Sequence, residues 1–209
     1  MANIFNNIDT KNKYKLLKSL RADIYSFEKD KSIINTIIDD NTICLIIKGS
    51  IKIIRNNDNG STTIFDKLNE NDIFGSTIYN LNDDDYDVIT SDDTQIIIIN
   101  YNDIIKYRNN NRYYNDFIKN LFIIYNDKIK EFNERINILS KKSIRNKLLE
   151  FFNLSFTKNN SRNIYLPFTF TELADYLAVD RSAMTRELKV LKDEGFIRIT
   201  GKRITLLYK

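Results

Sequence analysis

The spacing of hydrophobic residues divides the chain into three parts. Between Tyr25 and Ile99 the apolar residues come in short Ile-rich runs, separated by Asp, Asn and Gly. Enrichment in β-branched residues at this spacing predicts the strands of an antiparallel sandwich or barrel. The runs cover residues 33–34, 37–38, 44–47, 51–54, 62–65 and 96–99. Asp58, Asn59 and Gly60 predict a hairpin turn between two of them, because Asn and Gly accept positive φ.

Residues 113–139 carry a second pattern, in which large apolar residues recur at alternating spacings of four and three. The spacing continues for about three heptads and predicts one long helix that pairs with the same helix of a second copy. The predicted dimerisation residues are Ile118, Phe122, Tyr125, Ile129, Phe132, Ile136 and Leu139. Leu121 and Ile124 widen the stripe near its start, so this part can also pack on the β domain. A helix buried only against its own domain is the alternative, and the polar flanks of the C-terminal half favour a partner helix over it.

The C-terminal part shows two helix starts with a short turn between them. Thr169 and Glu172 have the spacing of a capping box, in which each side chain accepts from a free backbone N–H at the helix start. Asp180 is a good N-cap for a second helix, because its carboxylate accepts from the N–H groups there. Residues 178–179 make the turn, and Gly195 suits the left-handed cap after the second helix.

The second helix, predicted over residues 181–194, presents a polar face from its first two turns. Its predicted core residues are Ala183, Leu188 and Leu191. In helix-turn-helix proteins the N-terminal residues of this helix face the base edges of DNA. Residues 196–199 and 203–207 then alternate like two strands about Gly201 and Lys202, which completes a winged helix-turn-helix. A helical pair with merely solvated charges is the alternative, but the agreement of two caps, a turn and a hairpin favours the winged motif.

The charge of the chain is unevenly divided, and the division favours DNA binding. Residues 140–209 hold 14 Lys and Arg against 7 Asp and Glu, whereas residues 1–139 hold 18 against 21. The positive field therefore lies where the helix-turn-helix pattern lies, as attraction to a phosphate backbone requires. A basic surface alone would be weak support, and its coincidence with the motif gives it weight.

Composition narrows the remaining classes of function. The 209 residues are 42% hydrophobic and 29% charged, the balance of an ordinary globular chain with one or two domains. The single cysteine, Cys44, cannot form an internal disulfide, no apolar run approaches the roughly 20 residues of a membrane span, and the N-terminus lacks a signal-peptide core. We therefore expect a cytoplasmic protein without a membrane partner. Because the chain has no histidine and no Gly-rich phosphate loop, we expect no enzymatic activity.

The order of these parts resembles the Crp/Fnr family of bacterial transcription regulators over nearly the full length. Residues 45–53 look like the family's strand-Gly-strand element, residues 71–75 like the turn into its effector pocket, and residues 180–188 like its recognition helix. The resemblance implies an α+β fold. Residues 1–112 would form an N-terminal antiparallel β-roll (cupin-like), residues 113–139 the long dimerisation helix, and residues 140–209 the C-terminal winged helix-turn-helix.

The resemblance also implies which residues meet DNA. The predicted DNA-binding residues are Arg181, Ser182, Thr185 and Arg186 in the recognition helix, Thr169 and Thr171 at the first helix, and Lys202 and Arg203 in the wing. Arg donates two parallel hydrogen bonds to guanine, whereas the threonines and the wing suit phosphate. Ser182 stands where many members, including the cyclic-AMP receptor protein, carry Glu, so their target sequence does not carry over. A homodimer would bind a roughly palindromic site in double-stranded DNA, and RNA polymerase is a further candidate partner.

At the effector site the chain departs from the family members that bind cyclic AMP. Those members carry Gly-Glu-Leu for the ribose and an Arg-Ser or Arg-Thr pair for the phosphate. Here the first is Gly75-Ser76-Thr77, the second falls in the acidic run 83–87, and no basic residue lies in residues 70–105. Carboxylates repel a phosphate, so we expect no cyclic-nucleotide binding. The candidate effector pocket comprises Phe74, Gly75, Ser76, Tyr86 and Tyr125, and its small-molecule effector is unknown.

Other sensor chemistries find few ligands in this sequence. An iron–sulfur cluster needs about four thiolates, and haem and metal sites commonly use His, so no cofactor and no metal site is predicted. Haem held through Tyr, Met or Cys44 stays open as a minor alternative. The acidic run 83–87 could attract Ca²⁺ but has no recognisable ligand spacing, and we interpret it as an exposed loop. Cys44 lies in an apolar strand and is interpreted as a packing residue.

Two classes of function are consistent with these patterns. The favoured one is a dimeric, sequence-specific, DNA-binding transcription regulator that does not respond to cyclic AMP. The alternative is a protein-interaction module that uses the β-roll and the long helix and binds little DNA. A regulator without a ligand, controlled by its abundance alone, is a narrower variant of the first.

Overall fold

The computed structural model describes residues 3–37, 41–57, 60, 62–81, 85–107 and 111–208. They form two compact units, Met1–Lys128 and Ile129–Lys209, and the division falls inside the long helix. Each unit contains its own cluster of buried apolar side chains. Each therefore folds around a separate core.

The described residues of unit 1 form two antiparallel sheets and four helices. In chain order its elements are α1 (Thr10–Ser19), β1 (Asp23–Phe27), α2 (Ile34–Ile37), β2 (Thr42–Lys48), β3 (Ser50–Asn56), β4 (Thr62–Asn69), β5 (Ile73–Phe74), β6 (Tyr86–Thr90), β7 (Thr94–Asn100), α3 (Tyr101–Lys106) and α4 (Arg112–Leu139), which continues into unit 2. One sheet has the strand order β1-β7-β2-β5 and the other β4-β3-β6. The predicted antiparallel β domain and long helix are confirmed.

The core of unit 1 joins the four-stranded sheet to the N-terminal segment and to α4. Its buried members include Ile43, Leu45, Ile97 and Ile99 from the sheet, Ile4, Leu16 and Leu20 from the N-terminal segment, and Phe117, Leu121 and Ile124 from α4. The prediction that Leu121 and Ile124 pack on the β domain is confirmed. Buried Asn120 donates from its side-chain amide to the carbonyls of Ile4 and Asn6, at 3.1 and 2.8 Å. Its burial is therefore compensated by hydrogen bonds.

Part of the strand prediction is wrong. Residues 33–34 and 37–38 are predicted as strands, but Ile34 begins the short helix α2, and Ile38 lies outside the described residues. A short apolar run has too little periodicity to distinguish a helix from a strand. Ile33 is fully buried and its N–H donates to the Val88 carbonyl at 2.9 Å. Strands β1, β5 and β6 are not among the predicted ones.

Left-handed backbone in this chain is not confined to glycine. The described non-glycine residues with positive φ are Asn7, Arg21, Asp30, Asn71, Asn160 and Ala178. In the β3–β4 hairpin Gly60 has a φ of 76°, and pairing extends to Asn56 and Thr62. The other two residues of the predicted turn, Asp58 and Asn59, lie outside the described part of the chain.

Unit 2 packs three helices against a small antiparallel sheet. After the end of α4 its elements are α5 (Ile144–Asn159), β8 (Asn163–Tyr165), α6 (Phe170–Tyr176), α7 (Arg181–Asp193), β9 (Ile197–Thr200) and β10 (Arg203–Leu206). The sheet order is β8-β10-β9. The predicted helix pair and hairpin are confirmed as α6, α7, β9 and β10. Helix α5 and strand β8 are additional elements. Strand β8 is the third strand of the sheet, and α5 contributes to the core of the unit.

The core prediction for α7 needs one correction. Leu188 and Leu191 are buried as predicted, but Ala183 is half-exposed, and Met184 is fully buried instead. Met184, Leu188 and Leu191 are spaced by four and three, which places them on one helix face. Ala183 is five residues before Leu188 and lies off this face, so Met184 takes the core role predicted for Ala183.

The predicted dimerisation residues of α4 fall into two groups. Phe122, Ile129 and Ile136 are seven residues apart and are 68%, 54% and 64% exposed. The other four are half-buried; they are Ile118, Tyr125, Phe132 and Leu139. Three large apolar side chains of α4, at a seven-residue repeat, are therefore more exposed than buried.

Cys44 is fully buried in β2. Burial raises the pKa of its thiol far above the usual range, because the thiolate would lose its hydration. A thiol that stays protonated is a poor nucleophile, which fits the packing role. Among the described residues, no helix combines the length and the apolar character that crossing a membrane would require.

Candidate nucleic-acid interface

Helix α6 begins with the predicted capping box. The Thr169 hydroxyl accepts from the Glu172 N–H at 3.2 Å, and the Glu172 carboxylate accepts from the Thr169 N–H at 2.7 Å. Leu173 and Ala174 are buried, whereas Thr169 and Thr171 are exposed. The cap therefore fixes the helix start and leaves both threonines at the surface.

The turn between α6 and α7 has the hydrogen bonds of a Schellman motif. The N–H groups of Ala178 and Val179 donate to the carbonyls of Asp175 and Ala174, both at 3.0 Å, and Ala178 has a φ of 50°. Lys147 of α5 donates to the Leu177 carbonyl at 3.0 Å. This lysine compensates the negative end of α6 and holds the turn on α5.

The end of α7 repeats the motif with glycine. Gly195 has a φ of 77°, and its N–H donates to the Lys192 carbonyl at 3.1 Å. The N–H of Phe196 donates to the Leu191 carbonyl at 2.9 Å. The predicted left-handed cap at Gly195 is confirmed.

At its start, α7 is capped by Asp180, whose carboxylate accepts from the Ala183 N–H at 2.8 Å. All eight predicted DNA-binding residues are exposed: Thr169, Thr171, Arg181, Ser182, Thr185, Arg186, Lys202 and Arg203. Within α7 the Thr185 hydroxyl donates to the Arg181 carbonyl at 2.8 Å. The first two turns of α7 therefore present two guanidinium groups and two hydroxyls at the surface.

A groove runs along one side of α7, between α6 and β9, with a volume of about 400 Å³. Its lining includes the apolar residues Phe170 and Ile199 and the cations Arg181, Lys189 and Lys192. The two lysines are not among the predicted DNA-binding residues. Their positions eight and eleven residues after Arg181 place them on the same side of the helix, which is the signal that could have identified them.

Helix α5 holds the second half of α7 through Arg145. Its guanidinium forms ion pairs with Glu187, at 3.4 Å, and with Glu194, and lies over the Phe196 ring at 5.1 Å. The hydrogen bond from Arg145 holds the pKa of the Glu194 carboxyl below its usual range. Arg145 therefore ties the second half of α7 and its C-cap residue to α5.

The wing turn lies between β9 and β10. Thr200 pairs with Arg203, and Gly201 in the turn has a φ of 59°. On the other side of β10, Arg203 pairs with Tyr165 of β8, and the Leu166 N–H donates to the Lys202 carbonyl at 3.0 Å. The wing is therefore supported on both sides of β10.

The residues of the candidate effector pocket are held by polar and close contacts in unit 1. Phe74 is fully buried, and a Cβ on Gly75 would lie 2.2 Å from the Thr42 carbonyl oxygen. The Ser76 hydroxyl accepts from the Thr42 N–H at 2.9 Å. Phe74, Gly75 and Ser76 therefore pack against β2.

Tyr125 and Tyr86, the other two predicted pocket residues, have partners of their own. The hydroxyls of Tyr125 and Thr77 are 3.0 Å apart, and burial raises the pKa of the Tyr125 phenol. The Tyr86 ring packs edge-on against Phe65, with the ring centres 5.3 Å apart. Tyr125 therefore links α4 to the segment after β5.

Beside this region lies a largely buried ion pair, which is not among the predictions. The Lys128 ammonium of α4 is 2.8 Å from the Asp66 carboxylate of β4, and these side chains are 9% and 18% exposed. The Tyr79 hydroxyl donates to the same carboxylate oxygen at 2.7 Å. We refer to Asp66, Tyr79 and Lys128 as the α4 clasp.

The interpretation of the acidic run 83–87 as an exposed loop is partly wrong. Asp83 and Asp84 lie outside the described residues, but Tyr86 begins strand β6. Asp85 forms an ion pair with Arg55 at 3.2 Å, and Asp87 accepts from the Ser32 hydroxyl at 2.6 Å. Within the described part of the chain, no cluster of three acidic or thiol side chains could hold a metal ion.

Two models of known domain families match the chain, in the order predicted. The cyclic nucleotide-binding domain matches residues 25–111, and the Crp-like helix-turn-helix domain matches residues 146–208. Among curated proteins, the chain is 29% identical over 168 residues to a protein of Porphyra purpurea named as the HTH-type transcriptional regulator ycf28. That match covers 78% of this chain and 67% of the relative.

Solved structures share the fold at low sequence identity. The structure of CprK in complex with OCPA superposes with a TM-score of 0.72 at 15% identity, over 92% of this chain and 89% of that one. A CooA mutant from Carboxydothermus hydrogenoformans gives a TM-score of 0.72 at 16% identity, over 99% of this chain and 92% of that one. At such identities the likeness concerns the fold alone.

Proposed function

The chain belongs to the Crp/Fnr family of transcription regulators, and we propose that it binds double-stranded DNA sequence-specifically through α7 in the major groove. The capped, exposed start of α7 carries this proposal. Asp180 and the turn at Ala178 orient the helix, and Arg181 and Arg186 leave their guanidinium groups at the surface. Such groups can read guanine O6 and N7 by paired hydrogen bonds.

The proposed DNA-binding form is a homodimer joined through α4. Phe122, Ile129 and Ile136 form an exposed apolar stripe with the seven-residue repeat of a coiled-coil seam. An exposed stripe of large apolar side chains favours a protein contact. Two copies related by a two-fold axis would offer two α7 helices to half-sites about one DNA turn apart, and so a roughly palindromic site.

The proposed regulator does not respond to cyclic AMP, although residues 25–111 match a cyclic nucleotide-binding domain. A shared fold does not fix the ligand, which depends on the side chains of the site. Ser76 hydrogen-bonds to Thr42, and residues 70–105 contain no basic residue to neutralise a phosphate. Asp87 would add repulsion, whereas the charge of Asp85 is already paired with Arg55.

Arg181→Ala with Arg186→Ala is expected to weaken specific binding by about tenfold to a hundredfold per residue, because each bidentate contact contributes about 1–3 kcal/mol. Gel shifts and footprinting with genomic fragments, at two salt concentrations, measure this loss. The control removes the same charge elsewhere, by Lys11→Ala with Arg112→Ala, both at exposed positions. If the unaltered protein binds no fragment, or binds without salt dependence, the DNA-binding proposal fails and the protein-interaction module becomes the favoured function.

Adding millimolar cyclic AMP is expected to change neither the DNA affinity nor the thermal unfolding temperature. A ligand that binds the folded state stabilises it by mass action, so an unchanged unfolding temperature reports the absence of binding. Differential scanning fluorimetry and gel shifts, each with and without cyclic AMP, provide the measurement. A reproducible rise in the unfolding temperature would contradict this part of the proposal.

A further inference from the structure

Tyr165 is a large aromatic residue whose side chain is not packed in the core of unit 2. It lies in β8 and is 71% exposed, although it belongs to a strand whose neighbour, Ile164, is fully packed. Tyr is amphipathic, with an apolar ring and a hydroxyl that bonds polar partners, and it is enriched at interfaces for this reason. The position of Tyr165 on the sheet indicates which kind of molecule it contacts.

Tyr165 shares the outer face of the small sheet with Arg203 and Thr200. Arg203 is paired with both residues, so the three side chains form one row across the sheet. The next row on the same face pairs Thr205 with Asn163 and Arg198. These six residues include two arginines and no acid, so the face is positively charged.

The row that contains Tyr165 is the one next to the wing turn. Arg203 and Thr200 flank Gly201 and Lys202, and the Leu166 N–H donates to the Lys202 carbonyl at 3.0 Å. Strand β8 is therefore attached to the wing at its tip. A phosphate that contacts Lys202 or Arg203 would lie beside the Tyr165 ring.

The chemistry of this row suits the backbone of double-stranded DNA. Tyr hydroxyls and Arg guanidinium groups are both donors to phosphate oxygens, and such contacts fix the position of a protein on the duplex. The exposed Tyr ring can pack on a deoxyribose, while the positive face excludes cationic partners. Continuity with the proposed wing contact favours DNA over an acidic protein.

We propose that the wing is three strands wide and that Tyr165 donates its hydroxyl to a DNA phosphate next to the one bound by Arg203. This inference rests on the proposed function. It adds a contact outside the helix-turn-helix, from a strand that the sequence pattern does not predict. The contact positions the protein on the duplex and carries no base specificity.

Substitutions at Tyr165 and Arg203 distinguish the contact of the neutral phenol from that of the charged guanidinium. Tyr165→Ala is expected to weaken binding by more than about tenfold, and equally for specific and non-specific DNA. It removes a hydrogen bond to a charged group, which contributes about tenfold, together with the packing of the ring. Because Tyr is neutral, the slope of log affinity against log salt should stay unchanged. Arg203→Gln should reduce that slope by about 0.9, as expected for one phosphate contact. Tyr165→Phe keeps the ring and should lose only the part contributed by the hydroxyl.

A single tryptophan reports the contact directly, since the chain has none. In Tyr165→Trp the indole fluorescence should change on DNA binding, and acrylamide quenching should decrease. Phe156→Trp, on α5 of the same unit at a position 38% exposed, is the matched control and should respond to neither. The inference is overturned if the unaltered protein binds DNA, Tyr165→Ala keeps full affinity, and the Tyr165→Trp indole stays accessible to acrylamide. The proposed function stands in that case. If the unaltered protein shows no salt-sensitive binding, the proposed function fails first.

Discussion

Replacing Ile129 and Ile136 by lysine is expected to make the protein monomeric and to weaken its binding to a palindromic site by at least about a hundredfold. The apolar stripe on α4 would then carry like charges at the seam, while both positions are more than half exposed within the protomer, at 54% and 64%. The cores should therefore stay folded. The loss follows from avidity, because linking two binding units raises affinity by about 10²–10⁴.

Sedimentation equilibrium measures the association, and gel shifts on palindromic and half-site fragments measure its consequence for binding. Asp127→Asn with Glu131→Gln adds the same charge on α4 outside the stripe and should leave the dimer intact. Affinity for a half-site should change little in either variant. A lysine variant that remains dimeric would place the contact between copies elsewhere.

Lys128→Met is expected to destabilise unit 1 by about 3 kcal/mol, since removing one member of a buried ion pair leaves an uncompensated charge. Lys128 and Asp66 are 2.8 Å apart and only 9% and 18% exposed, so water replaces the lost ammonium poorly. The Tyr79 hydroxyl would remain as a donor to the carboxylate. The expected loss of unfolding free energy is therefore at the lower end of the range of about 3–5 kcal/mol for buried pairs.

Urea unfolding gives the change in free energy, and hydrogen exchange of peptides from β4 and α4 shows whether it falls in unit 1. Lys119→Met, at an exposed position of the same helix, is the control and should change stability by less than about 0.5 kcal/mol. Adding Asp66→Asn to Lys128→Met should recover part of the loss, because the unpaired charge is then absent. Equal losses in the single and the double variant would show that the α4 clasp acts through packing alone.

The features that could be predicted from the sequence are those with local signals. A cap depends on residues three apart, and both Asp180 and the pair Thr169 and Glu172 make the expected hydrogen bonds. The heptad spacing likewise needs only one helix. The predicted order of β domain, long helix and winged helix-turn-helix is confirmed for the same reason.

The features that could not be predicted depend on distant residues or on side-chain size. The α4 clasp joins residues 62 positions apart, and neither Asp66 nor Lys128 belongs to a motif. Strand β8 has only three residues and becomes a strand because β10 pairs with it. Met184 lies in the core instead of Ala183 because it shares a helix face with Leu188 and Leu191, and its larger side chain gains more by burial there. The DNA-binding residues themselves stay a prediction until binding is measured.

The left-handed positions of this backbone also show how the fold can persist while the sequence diverges. The chain has five glycines in 209 residues, yet three of its left-handed positions carry Asn, at Asn7, Asn71 and Asn160. Asn tolerates this conformation better than most residues, because its short side chain bonds the local backbone. What evolution must retain at such turns is a permitted dihedral angle and not a particular residue. Turns that accept either Gly or Asn constrain a sequence only weakly, and the CprK structure shares this fold at 15% identity.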